Sequence, residues 1–211
     1  MRIGILGSGR MGAALGGEWA AAGHTITFSY SRHPRRLEDL ARAAKGDASA
    51  ASPAEAAETS EVILVAVPWH SLDDALAQAG SLAGKIVITC SLPMTEDDSD
   101  LAVGHTNSGA EELARRLPDA RVVAAFNTIP SELIVDPGRP SRPERPEVVY
   151  CGDDAEAKET AADLIRDTGF EPVDAGPLRV ARWMEPFGLL VAQLAYEMEP
   201  APELGYRFLR P

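Results

Sequence analysis

The 211-residue sequence predicts an α/β fold, a doubly wound and mostly parallel sheet with a small C-terminal α/β extension. Short apolar runs rich in β-branched residues alternate with segments of helical periodicity, which is typical of strands buried between helices. Four of the predicted strands end in polar or proline-bearing loops, where a doubly wound sheet builds its ligand crevice. A glycine-rich turn after the first strand is the third observation, and it indicates the class of ligand.

That turn connects a predicted buried strand at 2–6 to an amphipathic helix, and its sequence GSGRMG at 7–12 is a G-x-G-x-x-G motif. Gly7 would permit the sharp turn, and Gly9 would let a pyrophosphate approach the backbone. Gly12 would let the helix pack close to the strand, and the helix N-terminus attracts phosphates. A glycine-rich turn without a ligand matches the same motif, but the strand–turn–helix context favours a Rossmann dinucleotide site.

The second predicted strand, 25–30, ends where NAD-binding units usually carry an acidic residue that holds the ribose hydroxyls. This chain carries SRHPRR at 31–36 instead. A hydroxyl and a guanidinium bind a 2′-phosphate through charge-assisted hydrogen bonds, whereas a carboxylate would repel it. The sequence therefore predicts NADP(H) rather than NAD(H), unless these residues are only the basic first turn of a solvated helix.

The remaining N-terminal elements follow in order. Apolar runs predict strands over 62–67, 85–90 and 121–126. Periodicity and capping residues predict helices over 37–45, from Pro53 in a short segment, over 71–83 and over 108–117. The acidic segment 95–105 is predicted to be a loop.

A proline-rich stretch at 136–146 without apolar periodicity predicts an exposed connector. We therefore expect a dinucleotide-binding domain at 1–140 and a small C-terminal part at 141–211 that closes the cleft. That part is predicted to hold strands at 147–151 and 170–173, a helix ending at Asp167, and a mostly helical segment over 178–198 that Pro186 kinks or restarts.

The last helix carries a broad apolar face that could pack on the first domain, form a dimer contact or line a substrate pocket; it comprises Trp183, Phe187, Leu190, Val191 and Leu194. The tail at 203–209 is apolar enough to require packing against the rest of the chain.

A formal charge of −12 argues against nucleic acid as a partner, because phosphate backbones need a basic surface. Cys90 and Cys151 both fall in apolar runs and are expected to be buried structural thiols in a reducing compartment. No signal-peptide pattern and no apolar run of about 20 residues are present, so we expect a soluble, cytoplasmic protein without a membrane partner.

Together these segments resemble the family of NADP oxidoreductases that use the deazaflavin coenzyme F420, over nearly the whole chain. The motifs that carry the resemblance are GSGRMG at 7–12, SR at 31–32, VPW at 67–69, AFNTIP at 125–130, CGDD at 151–154, DAGPL at 174–178 and ELGYRFL at 203–209. The resemblance implies a Rossmann domain, a cleft in which nicotinamide and deazaflavin lie face to face, and a homodimer.

The resemblance also implies the cofactor-binding residues. Within the glycine turn, the phosphates would contact Ser8, Gly9, Arg10 and Met11. The 2′-phosphate would contact Ser31, Arg32 and Arg36. The cofactor walls would comprise Val67, Ser71, Leu92, Ser131 and Leu204. From their position at the ends of predicted strands, Pro68, Trp69 and Asn127 are also expected to bind the cofactor.

No side-chain pair forms an obvious acid–base dyad, and no metal site is indicated, which fits hydride transfer between two rings held in stacked geometry. Asn127 could bond the nicotinamide carboxamide or the acceptor ring, or only its own backbone. His70 could donate a proton, although a surface or ribose-contacting role is favoured. Glu185 is expected to be solvated or paired with Arg182, without a functional role.

Two further hypotheses stay open from the sequence. The enzyme could reduce another acceptor, such as a flavin, an iron chelate or an imine. Alternatively, the chain could be a non-catalytic NADP(H)-sensing module whose last helix reports occupancy to a partner.

Overall fold

A computed structural model describes residues 1–135, 145–198 and 204–209. The predicted boundary at residue 140 and nearly all of the proline-rich connector lie outside these ranges. The division into two domains therefore stays a prediction.

Strands and helices alternate along the described chain. The strands are β1 Arg2–Leu6, β2 Thr25–Ser29, β3 Ala48–Ala50, β4 Val62–Val65, β5 Ile86–Thr89, β6 Arg121–Ala125, β7 Glu147–Gly152 and β8 Glu171–Asp174. The helices are α1 Arg10–Ala21, α2 Pro34–Ala43, α3 Pro53–Thr59, α4 Leu72–Ala79, α5 Gly109–Arg116, α6 Ser131–Ile134, α7 Ala155–Asp167 and α8 Ala181–Tyr196. Short 3₁₀ turns precede α4 at Trp69–Ser71 and α8 at Leu178–Val180.

The described strands form one eight-stranded sheet in the order β3-β2-β1-β4-β5-β6-β7-β8. Strands β1 to β6 pair in parallel, in the order of a Rossmann sheet. Strand β7 is antiparallel to β6, and β8 runs parallel to β7. The predicted fold class is confirmed, and the C-terminal strands extend the same sheet.

Both faces of the central strands are buried, as their continuous apolar sequence predicts. On one face Trp19 of α1 lies edge-on to Phe126, with ring centroids 5.9 Å apart, and its indole N–H donates to the Leu164 carbonyl of α7 at 2.9 Å. The other face packs α4, α5 and α8 against β4 to β7, with Leu113 and Met184 in its core. The helices hold the carboxyl ends of the parallel strands together at one edge.

Several boundaries differ from the sequence predictions. Helix α2 begins at Pro34 rather than at residue 37, because proline at the first helical position has the φ that a helix requires. Strand β3 was not expected, since Ala-Ser-Ala is neither apolar nor β-branched. Helix α8 runs through Pro186 without a restart, since buried residues on both sides of the proline hold it in place.

The tail packs against β7, as its apolar composition requires. The Tyr206 hydroxyl lies 2.6 Å from the Thr128 hydroxyl and accepts from the Val149 N–H at 3.2 Å. Its ring meets Phe187 of α8 edge-on, with centroids 5.0 Å apart. The tail therefore connects β6, β7 and α8 beside the carboxyl edge of the sheet.

None of the helices in the described part of the chain is long and apolar enough to cross a membrane.

Candidate active site

The glycine turn between β1 and α1 has the geometry that two of its glycines require. Gly7 has φ +121°, and a Cβ there would lie 2.2 Å from the Ala66 carbonyl oxygen. A Cβ on Gly12 would lie 2.0 Å from the Gly7 carbonyl oxygen. A side chain at Gly7 would therefore collide with the backbone that follows β4, and one at Gly12 would push α1 away from β1 and the turn.

Gly9 differs from these two glycines, because a Cβ there would meet no described atom within 4 Å. Gly9 is the N-cap of α1, and no side-chain cap is found there in the described structure. The first N–H groups of α1 therefore face open space. This arrangement fits a diphosphate, which needs close backbone approach and free N–H donors.

A cleft of about 390 Å³ begins at this turn and follows the carboxyl ends of the parallel strands. It brings together eight of the predicted site residues: Gly9, Arg10, Met11, Val67, Pro68, Leu92, Asn127 and Ser131. Helix α8 supplies the facing wall through Gly188, Val191, Ala192 and Tyr196. The last helix therefore lines a pocket, which is one of the alternatives that its apolar face left open.

Three predicted wall residues are absent from the described lining of this cleft. Trp69 lies under the Arg116 guanidinium, 5.5 Å from its ring centroid. The Ser71 carbonyl accepts from the Tyr30 hydroxyl at 3.4 Å, and Leu204 belongs to the docked tail. A cofactor role for these three residues stays a prediction.

The predicted 2′-phosphate residues lie at the end of β2, beside the glycine turn. Arg36 Nε donates to the Ser8 carbonyl at 2.6 Å and so connects α2 to the turn. Ser31 bonds the backbone of His33 at 3.1 Å, and the Arg32 side chain is exposed. Two guanidinium groups and a hydroxyl therefore lie at the end of β2, and a 2′-phosphate contact for them stays a prediction.

Asn127 is the most unusual polar residue of the cleft. It is 7 % exposed, and neither its Oδ1 nor its Nδ2 has a hydrogen-bond partner among the described residues. The alternative that it bonds its own backbone is thus not observed. A buried, unpaired amide costs about 1–3 kcal/mol, which a ligand with its own amide could offset.

At the mouth of the cleft, three side chains connect α1, α6 and α8. The Arg10 guanidinium lies 4.9 Å from the Tyr196 ring centroid and 3.5 Å from Glu132. The Tyr196 hydroxyl donates to Glu132 at 2.8 Å. Burial and this carboxylate raise the pKa of Tyr196, so its hydroxyl stays protonated at neutral pH.

The acidic segment after β5 also reaches the cleft, which the sequence did not reveal. Met94 and Asp98 line the cleft. Hydrogen bonds from Thr95 and Ser99 hold the pKa of Asp97 at about 2 and fix the shape of the segment. Only the apposition of this loop and α8 shows that these residues belong to the site.

The two cysteines are free and buried, as expected from their apolar surroundings. Burial raises the pKa of Cys90 and of Cys151 to about 12, so both remain neutral thiols. Cys90 lines the cleft but is no nucleophile at neutral pH. His70 lies at the rim with an exposed side chain.

The expectation for Glu185 was wrong. The residue is 1 % exposed and accepts hydrogen bonds from the backbone N–H groups of Gly109 and Ala110 at 2.8 and 2.9 Å. Arg182 pairs with Glu111 instead, at 2.7 and 2.8 Å. Burial raises the pKa of Glu185 to about 7, against the opposing effect of the two N–H groups.

Known proteins resemble this chain along most of its length. A family profile described as "NADP oxidoreductase coenzyme F420-dependent" matches residues 2–93. An F420-dependent NADP reductase of Methanothermobacter marburgensis is 30 % identical over 213 residues, covering 92 % of each protein. The rat metalloreductase STEAP3 is 35 % identical over 184 residues, which are 87 % of this chain; the chain spans only 36 % of that protein.

A solved structure agrees with these sequence matches. The crystal structure of a candidate F420-dependent NADP reductase from Arthrobacter sp. FB24 superposes with a TM-score of 0.86 at 28 % identity, covering 100 % of both chains. The similarity includes the C-terminal strands and α8, and so extends over both walls of the cleft.

Proposed function

Because this chain belongs to the family of coenzyme F420-dependent NADP oxidoreductases, and is thus an NADP-dependent oxidoreductase, we propose that it transfers a hydride between NADP(H) and a deazaflavin, coenzyme F420. The unpaired amide of Asn127 carries this proposal, since it lies in the cleft that starts at the glycine turn. A nicotinamide carboxamide carries both a donor and an acceptor, and these are the two hydrogen-bond partners that the amide of Asn127 lacks. The whole-length similarity to an F420-dependent reductase supports the choice of acceptor.

Each end of the dinucleotide has its own group of residues in this proposal. The free N–H groups at Gly9, Arg10 and Met11 hold the diphosphate. Ser31, Arg32 and Arg36 hold the 2′-phosphate, while Gly7 and Gly12 shape the turn. Val67 and Pro68 line the path to the nicotinamide end, with Trp69, Ser71 and Leu204 as supporting positions outside the observed lining.

When bound, the two cofactor rings would supply the redox chemistry, and the chain would supply geometry and a dry environment. Leu92, Val191 and Ala192 present apolar walls on both sides of the cleft. They would exclude water and hold two planar rings in contact, which accounts for most of the catalytic effect in a reaction without side-chain acid–base chemistry. His70 at the rim would contact the ribose or solvent.

The test is anaerobic turnover of NADPH with purified protein and coenzyme F420. We expect loss of the deazaflavin absorbance with one equivalent of NADPH consumed per equivalent reduced. Parallel reactions with free flavin, ferric citrate and a cyclic imine serve as the comparison. Turnover of one of these acceptors, with none of coenzyme F420, would refute the deazaflavin proposal.

A second candidate is an NADPH-dependent reductase of one of those other acceptors. The 35 % identity to a metalloreductase favours it, although the match covers only part of that protein. Ferric citrate or flavin turnover that exceeds deazaflavin turnover is the result this candidate predicts. Steady turnover with any acceptor excludes the sensing module as the whole function.

Replacing Asn127 with alanine should reduce the hydride-transfer rate roughly tenfold, since about 1–2 kcal/mol of carboxamide orientation is lost. Affinity for the phosphates should change little, because they bind at the other end of the cleft. The measurement is single-turnover oxidation of prebound NADPH. Asn107→Ala is the matched control, since Asn107 bonds Glu112 and Arg115 outside the cleft; equal rates in both variants would contradict the role of Asn127.

We also propose a homodimer formed through the outer face of α8. Trp183 and Leu190 are 61 % and 52 % exposed there, and Phe187 and Leu194 continue the same stripe along the helix. A second copy of the chain offers the same stripe in a two-fold arrangement. We expect neither nucleic acid nor a membrane to be a partner of this dimer.

Leu190→Asp should convert the dimer to a monomer, because burying an unpaired carboxylate in an apolar contact is unfavourable. Light scattering after size-exclusion chromatography measures the molar mass directly. Leu209→Asp is the control, since Leu209 is 85 % exposed and belongs to the tail rather than to the α8 stripe. A parent protein that is already monomeric, or a variant that stays dimeric, would refute this interface.

A further inference from the structure

The carboxylate of Glu185 in α8 accepts hydrogen bonds from the N-terminus of α5, a helix that is distant in sequence. Its oxygens accept from the N–H groups of Gly109 and Ala110, the first two residues of α5. The Ser108 hydroxyl accepts from the next N–H group, that of Glu111, at 3.2 Å. The first three donors of α5 are therefore all bonded, two of them by a side chain of α8.

Glu185 precedes the part of α8 that lines the cleft by one helical turn. Gly188 lies so close to the loop after β6 that a Cβ there would be 2.4 Å from the Asn127 carbonyl oxygen. The same Cβ would be 3.1 Å from the Leu92 side chain. The position of α8 therefore determines how much room remains around Asn127 and Leu92.

The other end of the same wall is held at Tyr196 by its hydrogen bond to Glu132. Between these two attachments, Val191 and Ala192 face the cleft. The bonds of Glu185 are buried and charge-assisted, whereas Glu132 is largely solvent-accessible. The hydrogen bonds of Glu185 should therefore restrain α8 more strongly than the hydrogen bond of Tyr196 does.

We propose that Glu185 is a positioning residue that, as a carboxylate, seats the α8 wall against Asn127 and thereby sets the stacking geometry of the nicotinamide. This inference rests on the proposed placement of nicotinamide at Asn127. Protonation of Glu185 turns one oxygen into a donor that faces an N–H group, so one of the two bonds to α5 is lost. The wall then shifts away from the seated position while the chain stays folded.

Few charged or titratable groups surround this carboxyl. Glu111 on α5 raises the pKa of Glu185 by repulsion, and Arg182 on α8 itself is held by Glu111. From β7, the neutral Cys151 thiol is the titratable neighbour. Burial brings the pKa of Glu185 to about 7, so the proton exchanges in the physiological range.

Stability and nicotinamide geometry should respond to this proton in opposite directions. The folded chain keeps the proton up to about pH 7, whereas the unfolded chain releases it near pH 4.5. The folded state thus binds more protons in that window, and this group's contribution to the free energy of unfolding falls as the pH rises through it. A merely structural role predicts instead that nicotinamide geometry is lost together with stability.

The experiment follows the fluorescence of protein saturated with NADPH, and the melting temperature, from about pH 6 to about pH 8. With a pKa near 7, the carboxylate fraction changes about tenfold over this range, so the enhancement of nicotinamide emission on binding should rise with a midpoint near pH 7. Up to about pH 7 the melting temperature of the parent should fall more steeply with pH than that of Glu185→Gln, and above it the two should change in parallel. In Glu185→Gln the emission should stay low and lose its pH dependence.

Glu111→Gln is the matched control in the same contact between α5 and α8. It removes a repulsive charge, so the emission midpoint should move to lower pH with the same plateau. An emission profile of the parent that is flat, or that falls together with the melting temperature, would overturn the inference. An emission profile of Glu185→Gln that still has a midpoint near pH 7 would also overturn the inference. If that variant fails to fold, the emission profile of the parent tests the inference by itself.

These outcomes are distinct from failure of the proposed function. NADPH that binds without any change in nicotinamide emission at any pH would refute the placement at Asn127, and this inference with it. Enhanced emission without the pH response would refute only the role of Glu185.

Discussion

A Gly9→Ala protein is expected to fold with the stability of the parent and to bind NADPH and NADH about 30- to 150-fold more weakly, equivalent to about 2–3 kcal/mol. The added methyl meets no described atom within 4 Å, so the protein itself has room for it. That same space lies in front of the free N–H groups of α1, where the diphosphate would lie. The methyl group therefore displaces the ligand and leaves the turn undisturbed.

Isothermal titration measures the affinity of the variant for each dinucleotide, and thermal unfolding without ligand measures its stability. Gly17→Ala is the control, because Gly17 also faces open space among the described residues but lies inside α1, away from the cleft. It should leave both affinities unchanged and stabilise the helix by about 0.5–1 kcal/mol. Normal affinity in Gly9→Ala would mean that the diphosphate does not lie at this turn.

The part of the site that could be predicted from sequence is the part encoded locally. Gly7, Gly9 and Gly12 lie within six residues, and each answers a steric requirement of one strand–turn–helix unit. The apolar strands likewise predicted a mostly parallel sheet buried on both faces, because their composition fits such burial. Asn127 followed from its position at the end of such a strand.

The rest depends on contacts between distant segments, for which sequence pattern has no local signal. Glu185 lies 76 residues from Gly109, and an isolated glutamate in a helix is ordinarily solvated. The sequence around Asp98 predicts only an acidic loop, and its position at the cleft becomes evident only in the structure. Short, exposed β3 and the continuous helix through Pro186 were likewise decided by tertiary packing rather than by propensity.

The residues proposed to select the phosphorylated cofactor form a local positive cluster in a chain that is acidic overall. The chain carries a net charge of −12, which disfavours anions in general. At the end of β2, however, residues 31–36 contain three arginines and no carboxylate. Because Arg36 also bonds the glycine turn, the positive charge is held next to the diphosphate position rather than spread over α2. An anion one ribose away from the diphosphate would therefore meet guanidinium groups at close range.

Arg32→Ala should weaken NADPH binding by about 1.5–3 kcal/mol, roughly 10- to 150-fold, while NADH affinity changes less than about twofold. The Arg32 side chain is exposed, and its interaction with the rest of the described structure is a coulombic one with Tyr30, so the loss should appear mainly in binding. Arg35→Ala is the matched control, since it removes the same charge from an exposed arginine three residues further along, in the first turn of α2. It should reduce NADPH affinity only by the weaker, salt-screened effect of a charge outside the proposed 2′-phosphate contacts. The measurement is titration of the parent and the two variants with both dinucleotides. If Arg32→Ala loses equal affinity for NADPH and NADH, or if both variants lose equal NADPH affinity, these residues are only the basic first turn of a solvated helix.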